Sequence, residues 1–227
     1  MSKVAFFVDG NYLFNQLKYF KSFQCEGPNI KKYCERHLQG SEQLYRIFYY
    51  DAPPLEKVVT NPLGKEIDFS VTAKTINERL DGIRETPYMA LRLGKVTWYN
   101  DWTINEKTLK AIMDGTKAIS ELTDKDFKAN IRQKIVDMKI GLDIATIAFQ
   151  KLADRIVLIA GDSDFVPAAK LARVEGVEVT IDPLGKKISN DLIEHVDYVE
   201  TKLDPDNPQD VSIRKNFFVI NKKTIIR

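Results

Sequence analysis

Three groups of aspartates close apolar runs or border helical stripes in this chain: Asp9, the pair Asp137 and Asp143, and Asp162 with Asp164. Asp9 directly follows Val4-Ala5-Phe6-Phe7-Val8, and Asp162 follows Ile156-Val157-Leu158-Ile159-Ala160-Gly161, with Ser163 next. Carboxylates that converge repel one another, so such a set either keeps some members protonated or is neutralised by a cation. A hard divalent ion is the simplest neutraliser. Mg²⁺ takes a few carboxylate oxygens and keeps its waters, with no need of the imidazoles or thiols that are scarce here, where only His37, His195, Cys25 and Cys34 occur.

Each acid also has a purely structural reading. Gly10 could take a positive φ while Asn11 caps the helix that follows. Asp164 could cap the helix containing Pro167, a residue tolerated in a first turn because its missing amide has no partner there. Asp143 borders the stripe Ile140, Ile144, Ile147 and Ala148, so its carboxylate is partly buried and needs a metal or an ion pair, with Lys139 four residues away as the structural partner. Asp137 adds further negative charge nearby. Arg132, Lys134 and Lys139 make a basic stretch that could hold phosphate or could equally be a solvated face.

Rival chemistries fit the residues less well. An aspartyl-nucleophile phosphatase needs a second aspartate two residues after the first, and Asn11 stands there. The chain has no Gly-Lys-Ser or Gly-Lys-Thr phosphate loop and no Gly-x-Gly-x-x-Gly after a strand. Two histidines far apart in sequence give weak support to a serine or cysteine triad.

The acids must be positioned by the elements that precede and follow them. Val4 to Val8 reads as a strand turning at Asp9-Gly10-Asn11 into a helix over Tyr12 to Phe20, on the spacing of Leu13, Leu17 and Phe20. Leu44 to Tyr50 is a second strand, stopped by Asp51-Ala52-Pro53-Pro54. Ile156 to Ala160 and Val177 to Ile181 are strands around a helix from Phe165 to Val174. Continuous apolar strands indicate a sheet covered on both faces, and their alternation with helices predicts an α/β fold with a mostly parallel, doubly wound sheet. The stretch at about 53–94 reads as an insertion, with a turn at Asn61-Pro62-Leu63-Gly64 and a helix over Ile76 to Ile83. Lys107 to Met138 reads as surface-lying amphipathic helices. The expected organisation is one domain over 1–202 and a C-terminal extension, 203–227, in which Phe217 to Ile226 could pair with a sheet edge.

The 34 basic and 32 acidic residues nearly cancel, so no whole-molecule field draws the chain to nucleic acid or to membrane; any such attraction is local. No segment approaches the roughly 18 unbroken apolar residues of a membrane span. Two cysteines in neither a disulfide nor a zinc pattern suggest a reducing compartment, with the cytoplasm as the default.

Phe7-Val8-Asp9-Gly10-Asn11, Lys134-Ile135-Val136-Asp137 through Asp143, and Ala160-Gly161-Asp162-Ser163-Asp164-Phe165-Val166-Pro167 together resemble the NYN domain, in the LabA-like branch of the PIN-like nucleases. The resemblance runs from about residue 3 to residue 200. It implies a PIN-like, Rossmann-like central sheet flanked by helices, an acidic pocket binding Mg²⁺ or Mn²⁺, and endonucleolytic hydrolysis of RNA phosphodiesters. By resemblance, Asp9, Asp143 and Asp162 are the core metal-holding acids, with Asp137 and Asp164 close by and Asn11 orienting the first loop; Ser163, Lys134 and Lys139 are further substrate-binding candidates. Ser189 and Asp197 match a region that completes the sheet and are read as structural. One departure stands out: members usually carry glycine where this chain has Ile135. The main rival is a non-catalytic RNA-binding or regulatory module that keeps the fold. In either case a homo-oligomer or protein partner could use the insertion or the tail.

Overall fold

The computed structural model describes residues 1–17 and 24–202. Phe20 and the Phe217 to Ile226 element lie outside the described residues. The chain divides into two compact units, one made of Met1–Asp51, Arg79–Gly94 and the chain from Ile135 onward, the other of Ala52–Glu78 and Lys95–Lys134.

The first unit is built on six parallel strands. Its centre is β1 (Lys3–Asp9), followed by the helices α1 (Gly10–Leu17) and α2 (Gly27–Glu35) and by β2 (Gln43–Asp51). Helix α3 (Ser70–Glu85) ends in this unit and leads to β5 (Met89–Leu93); the intervening β3 (Val58–Thr60) and β4 (Glu66–Asp68) belong to the second unit. Later come α5 (Val136–Phe149), β8 (Arg155–Ile159), α6 (Val166–Val174), β9 (Glu178–Asp182), α7 (Asn190–Glu194) and β10 (Tyr198–Val199). The strand order is β10-β9-β8-β1-β2-β5, and every neighbouring pair is parallel. The chain leaves β1 toward β2 and β5 and later returns to build outward from β8 on the other side. The order therefore reverses between β1 and β8, and in such sheets ligands bind beyond the carboxyl ends of the strands at that reversal.

The predicted strands and helices of this unit are present, and the physical reason is visible in their burial. Val4 to Val8 and Ile156 to Ile159 are fully covered. Phe7 stacks on Phe48 and Tyr50 at ring separations of 5.2 and 6.3 Å. Removing one such buried phenyl ring costs about 3–5 kcal/mol, more than an exposed ion pair contributes, so the sheet core sets the stability. At the amino end of β8, buried Arg155 grips Glu42 through Nε (2.8 Å) and a terminal nitrogen (2.6 Å) and also donates to the His37 carbonyl. Asp197 accepts from the Val179 amide and Ser189 caps α7, which gives both the structural role read from sequence.

The second unit holds two antiparallel pairs, β3 with β4 and β6 (Lys95–Ile104) with β7 (Phe127–Lys134), together with α4 (Glu106–Met113). The turn at Asn61 is present: Asn61 accepts from the Gly64 amide, and Gly64 has φ 82°. One sequence reading needs correction here. Of the amphipathic helices expected over Lys107 to Met138, α4 and the first turn of α5 form, with two single 3₁₀ turns at Ile119–Glu121 and Asp124–Asp126 between them, and Phe127–Lys134 is a strand. Its apolar residues Phe127, Ala129 and Ile131 alternate with Lys128, Asn130 and Arg132, which is strand spacing. Within 53–94, β5 is a strand of the main sheet, while Lys95–Lys134, which sequence reading left outside the insertion, belongs to the second unit.

Two backbone features test how tightly the acidic loops are built. Gly10 lies in α1 and takes no positive φ; its role is close approach, since a Cβ there would sit 2.5 Å from the wholly buried Tyr49 ring. Ile135, where the resembling family carries glycine, is held in the left-handed region at φ 73°, a costly conformation for a β-branched residue. In urea denaturation, Gly10→Ala is expected to lower stability by about 1–3 kcal/mol through overpacking. Ile135→Gly is expected to raise it by about 1 kcal/mol through relief of strain; a lower midpoint for Ile135→Gly would contradict the strain.

Candidate active site

Asp9 ends β1 and Asp162 follows β8, so the two loops that meet at the reversal each carry a carboxylate. Both are used locally. Asp9 Oδ1 accepts from the Tyr12 amide at 2.9 Å, and Asp162 Oδ1 accepts from the Asp164 amide at 3.1 Å. Asp9 is therefore the cap of α1, the role first read for Asn11, whose side-chain oxygen accepts instead from Asn15 one turn on. Asp162 likewise caps the short turn Ser163–Phe165, so the capping role does not fall to Asp164. The Tyr12 ring covers Gly161, where a Cβ would meet it at 2.7 Å, and its hydroxyl donates to the Pro183 carbonyl at 2.6 Å. That contact ties the loop after β1 to those after β8 and β9.

The electrostatics link five acids. Asp9 is pushed up from 3.8 to about 6, first by desolvation and then by the charges of Asp137 and Asp51, against the opposing Tyr12 amide. Asp137, in the first turn of α5, is raised by desolvation and by the charges of Asp162 and Asp164. No lysine or arginine pairs with Asp9, Asp137, Asp162 or Asp164 among the described residues, whereas nearby acids are compensated. Asp51 meets Arg79 at 3.2 Å, and Asp143 meets Arg92 Nε at 3.3 Å and accepts from the Tyr50 hydroxyl at 2.8 Å.

Sequence reading has Asp9, Asp143 and Asp162 converging. In the structure the charges that act on Asp9 are those of Asp137 and Asp51, and Asp143 is engaged by Arg92 and Tyr50. The helix explains the difference. Six residues at about 100° each put Asp137 and Asp143 on different faces of α5, about 9 Å apart along the axis. The suggested partner of Asp143, Lys139, instead donates to the Leu93 carbonyl at 2.7 Å. Ser163 is exposed beside Asp162, and Lys134 lies in the second unit with its ammonium 4.9 Å from the Tyr99 ring centre. Sequence reasoning passed over Asp51 and Arg92. Asp51 could have been found, because it ends an apolar strand as Asp9 does; Arg92 carries no local signal.

A parallel sheet whose order reverses beside carboxylate-bearing loops is the architecture of a PIN-like domain. The NYN domain matches residues 83–203, more than half of the chain, and the protein belongs to that family, within the PIN-like nuclease superfamily. The matched span contains Asp137, Asp143, Asp162 and Asp164 and begins after Asp9. No curated protein matches the chain. Membership implies a nuclease-like, RNA-related function. No helix among the described residues is long and apolar enough to cross a membrane.

The raised Asp9 makes a pH prediction for protein kept in chelator. Between the ordinary carboxyl value, 3.8, and about 6, the native state binds more protons at Asp9 than the unfolded chain does, so stability falls as pH rises through that window and levels off above it. Asparagine keeps the cap and drops the charge. Asp9→Asn is thus expected to match the parent near pH 4 and to exceed it by about 1–3 kcal/mol at pH 7. Urea melts across this range check it; a parent more stable than the variant at pH 7 would contradict the account.

Proposed function

We propose that this protein is a divalent-metal-dependent endoribonuclease whose chemistry is centred on Asp9, Asp137, Asp162 and Asp164. The observation that carries the reading is the set of carboxylates at the β1/β8 reversal that no lysine or arginine among the described residues pairs with, two of them, Asp9 and Asp137, raised by desolvation and by neighbouring carboxylates. Among the described residues no group of three or more His, Cys, Asp or Glu side chains stands close enough to hold one ion. The donor set still suits Mg²⁺ or Mn²⁺, which bind through one or two carboxylates, water and substrate phosphate. When bound, such an ion supplies Lewis-acid polarisation of the scissile phosphate and a more acidic water.

The protein's own groups do the rest. Asp9 and Asp162 each accept a capping amide through one oxygen; in this reading the other oxygen of each serves the ion, and Asp137 adds the charge that makes a cation welcome. Asp164, exposed and without an ion pair, is placed to accept the proton of an attacking water. Asp143 is a positioning residue that holds Arg92 for a substrate phosphate, and Asn11, Ser163 and Lys139 border the path of the strand. Single-stranded or looped RNA suits this site, because an unpaired strand can bend its backbone to the carboxylates while its bases splay away.

Purified full-length protein is expected to cut single-stranded RNA with Mg²⁺ or Mn²⁺ and not in EDTA. Asp137→Asn and Asp162→Asn should each lower kcat by about a hundred-fold or more, the size of loss that misplacing reacting groups by about 1 Å produces. Asp143→Asn should raise KM more than it lowers kcat. A clean, folded protein that cuts no RNA with either ion, yet binds it, would turn the assignment to the non-catalytic RNA-binding module.

A further inference from the structure

The β6–β7 hairpin carries a face that the acidic site does not use. Lys95 pairs directly opposite Lys134, and Thr97 opposite Arg132. Directly opposed residues of an antiparallel pair share a face, so Lys95, Arg132 and Lys134 project together, with Lys128 further along the same side of β7. All four are exposed. Like charges placed directly opposite are unfavourable in a sheet, and no acid of β7 offsets them; Asp101 is the one carboxylate on the two strands, and it accepts from the Trp102 amide.

An aromatic ring sits among these charges. The register between β6 and β7 shifts between Trp98 and Trp102, and Asn100 in that bulge has φ 57°. Bulges re-aim side chains. Here Tyr99 is 45% exposed, with the Arg132 guanidinium 5.7 Å and the Lys134 ammonium 4.9 Å from its ring centre. A half-exposed ring flanked by cations offers a base a stacking platform and offers the flanking phosphates their counter-charges, which is how single strands are held without reading sequence.

We infer that the β6–β7 face is a binding site for single-stranded RNA, with Tyr99 stacking a base and Lys95, Arg132 and Lys134 holding the adjacent phosphates. The inference rests on the nuclease reading only in taking RNA as the polymer. A solvated charged face would satisfy the cations alone; the exposed ring set between them favours the strand.

Fluorescence anisotropy of the full chain in EDTA, with a labelled single-stranded RNA and with a duplex of equal length, tests it. Tyr99→Ala is expected to weaken single-strand binding by about 5- to 100-fold and leave the duplex nearly unchanged, while Tyr99→Phe keeps the affinity. Combined Lys95→Ser, Arg132→Ser and Lys134→Ser should reduce the slope of log K against log salt by about 2, since each phosphate contact on a single strand contributes about 0.7. Equal effects of Tyr99→Ala on single strand and duplex, or no effect on either, overturn the inference. Metal-dependent cutting with binding unchanged in these variants overturns it too and leaves the nuclease reading standing. Tyr99-dependent binding by a protein that cuts no RNA supports the inference and removes that reading.

Discussion

Burial of the Asp9 carboxylate at the end of the central strand, beside Asp137 and Asp51, is the constraint around which the acidic end of the sheet is organised. A carboxylate in that position is costly, because desolvation and like charge both oppose its ionisation. The fold supplies cations elsewhere, at Asp51 through Arg79 and at Asp143 through Arg92, and among the described residues supplies none to Asp9, Asp137, Asp162 or Asp164. A merely structural aspartate at a strand end has the opposite surroundings. Asp182 at the end of β9 is wholly buried yet fully engaged, accepting from the Tyr33 and Thr201 hydroxyls and the Leu184 amide and lying 3.0 Å from His37.

Holding repelling groups together requires a rigid frame, and the parallel sheet provides it. Strands β1 and β8 are covered on both faces, so their ends are fixed by the core and not by the loops themselves. Two glycines then let aromatic rings close over those loops, Gly10 under Tyr49 and Gly161 under Tyr12. Capping by Asp9 and Asp162 adds a local lock, since each carboxylate is oriented by the backbone amide that it accepts from. Structural and chemical roles coincide in these two residues, and an asparagine in either place separates them, because it retains the cap and removes the charge.

Much of the frame was legible in the sequence. Unbroken apolar runs such as Val4 to Val8 admit little besides a doubly covered strand, and an aspartate following such a run is placed by the strand itself. Legibility failed where the signal was split between two parts of the chain. The alternation in Phe127–Lys134 has strand meaning only once β6 is there to pair with it, and its charges mimic a solvated helix. The helical stripe around Asp143 places it at a border but cannot reveal Arg92, fifty-one positions away in sequence and on a different element. Ile135 shows the converse. A residue that departs from the family pattern still takes the left-handed backbone that glycine would favour, because the entry into α5 demands it.

On the proposed reading, the carboxylates at the β1/β8 reversal gather a divalent cation. The most direct test is a crystal of the full-length protein soaked in Mn²⁺, with the anomalous signal of the ion located in the map. The account predicts a peak within about 2.0–2.6 Å of an oxygen of Asp9, Asp137 or Asp162, lost when Asp162 is asparagine. A peak confined to other acids, or none where those three side chains are well ordered, would contradict it.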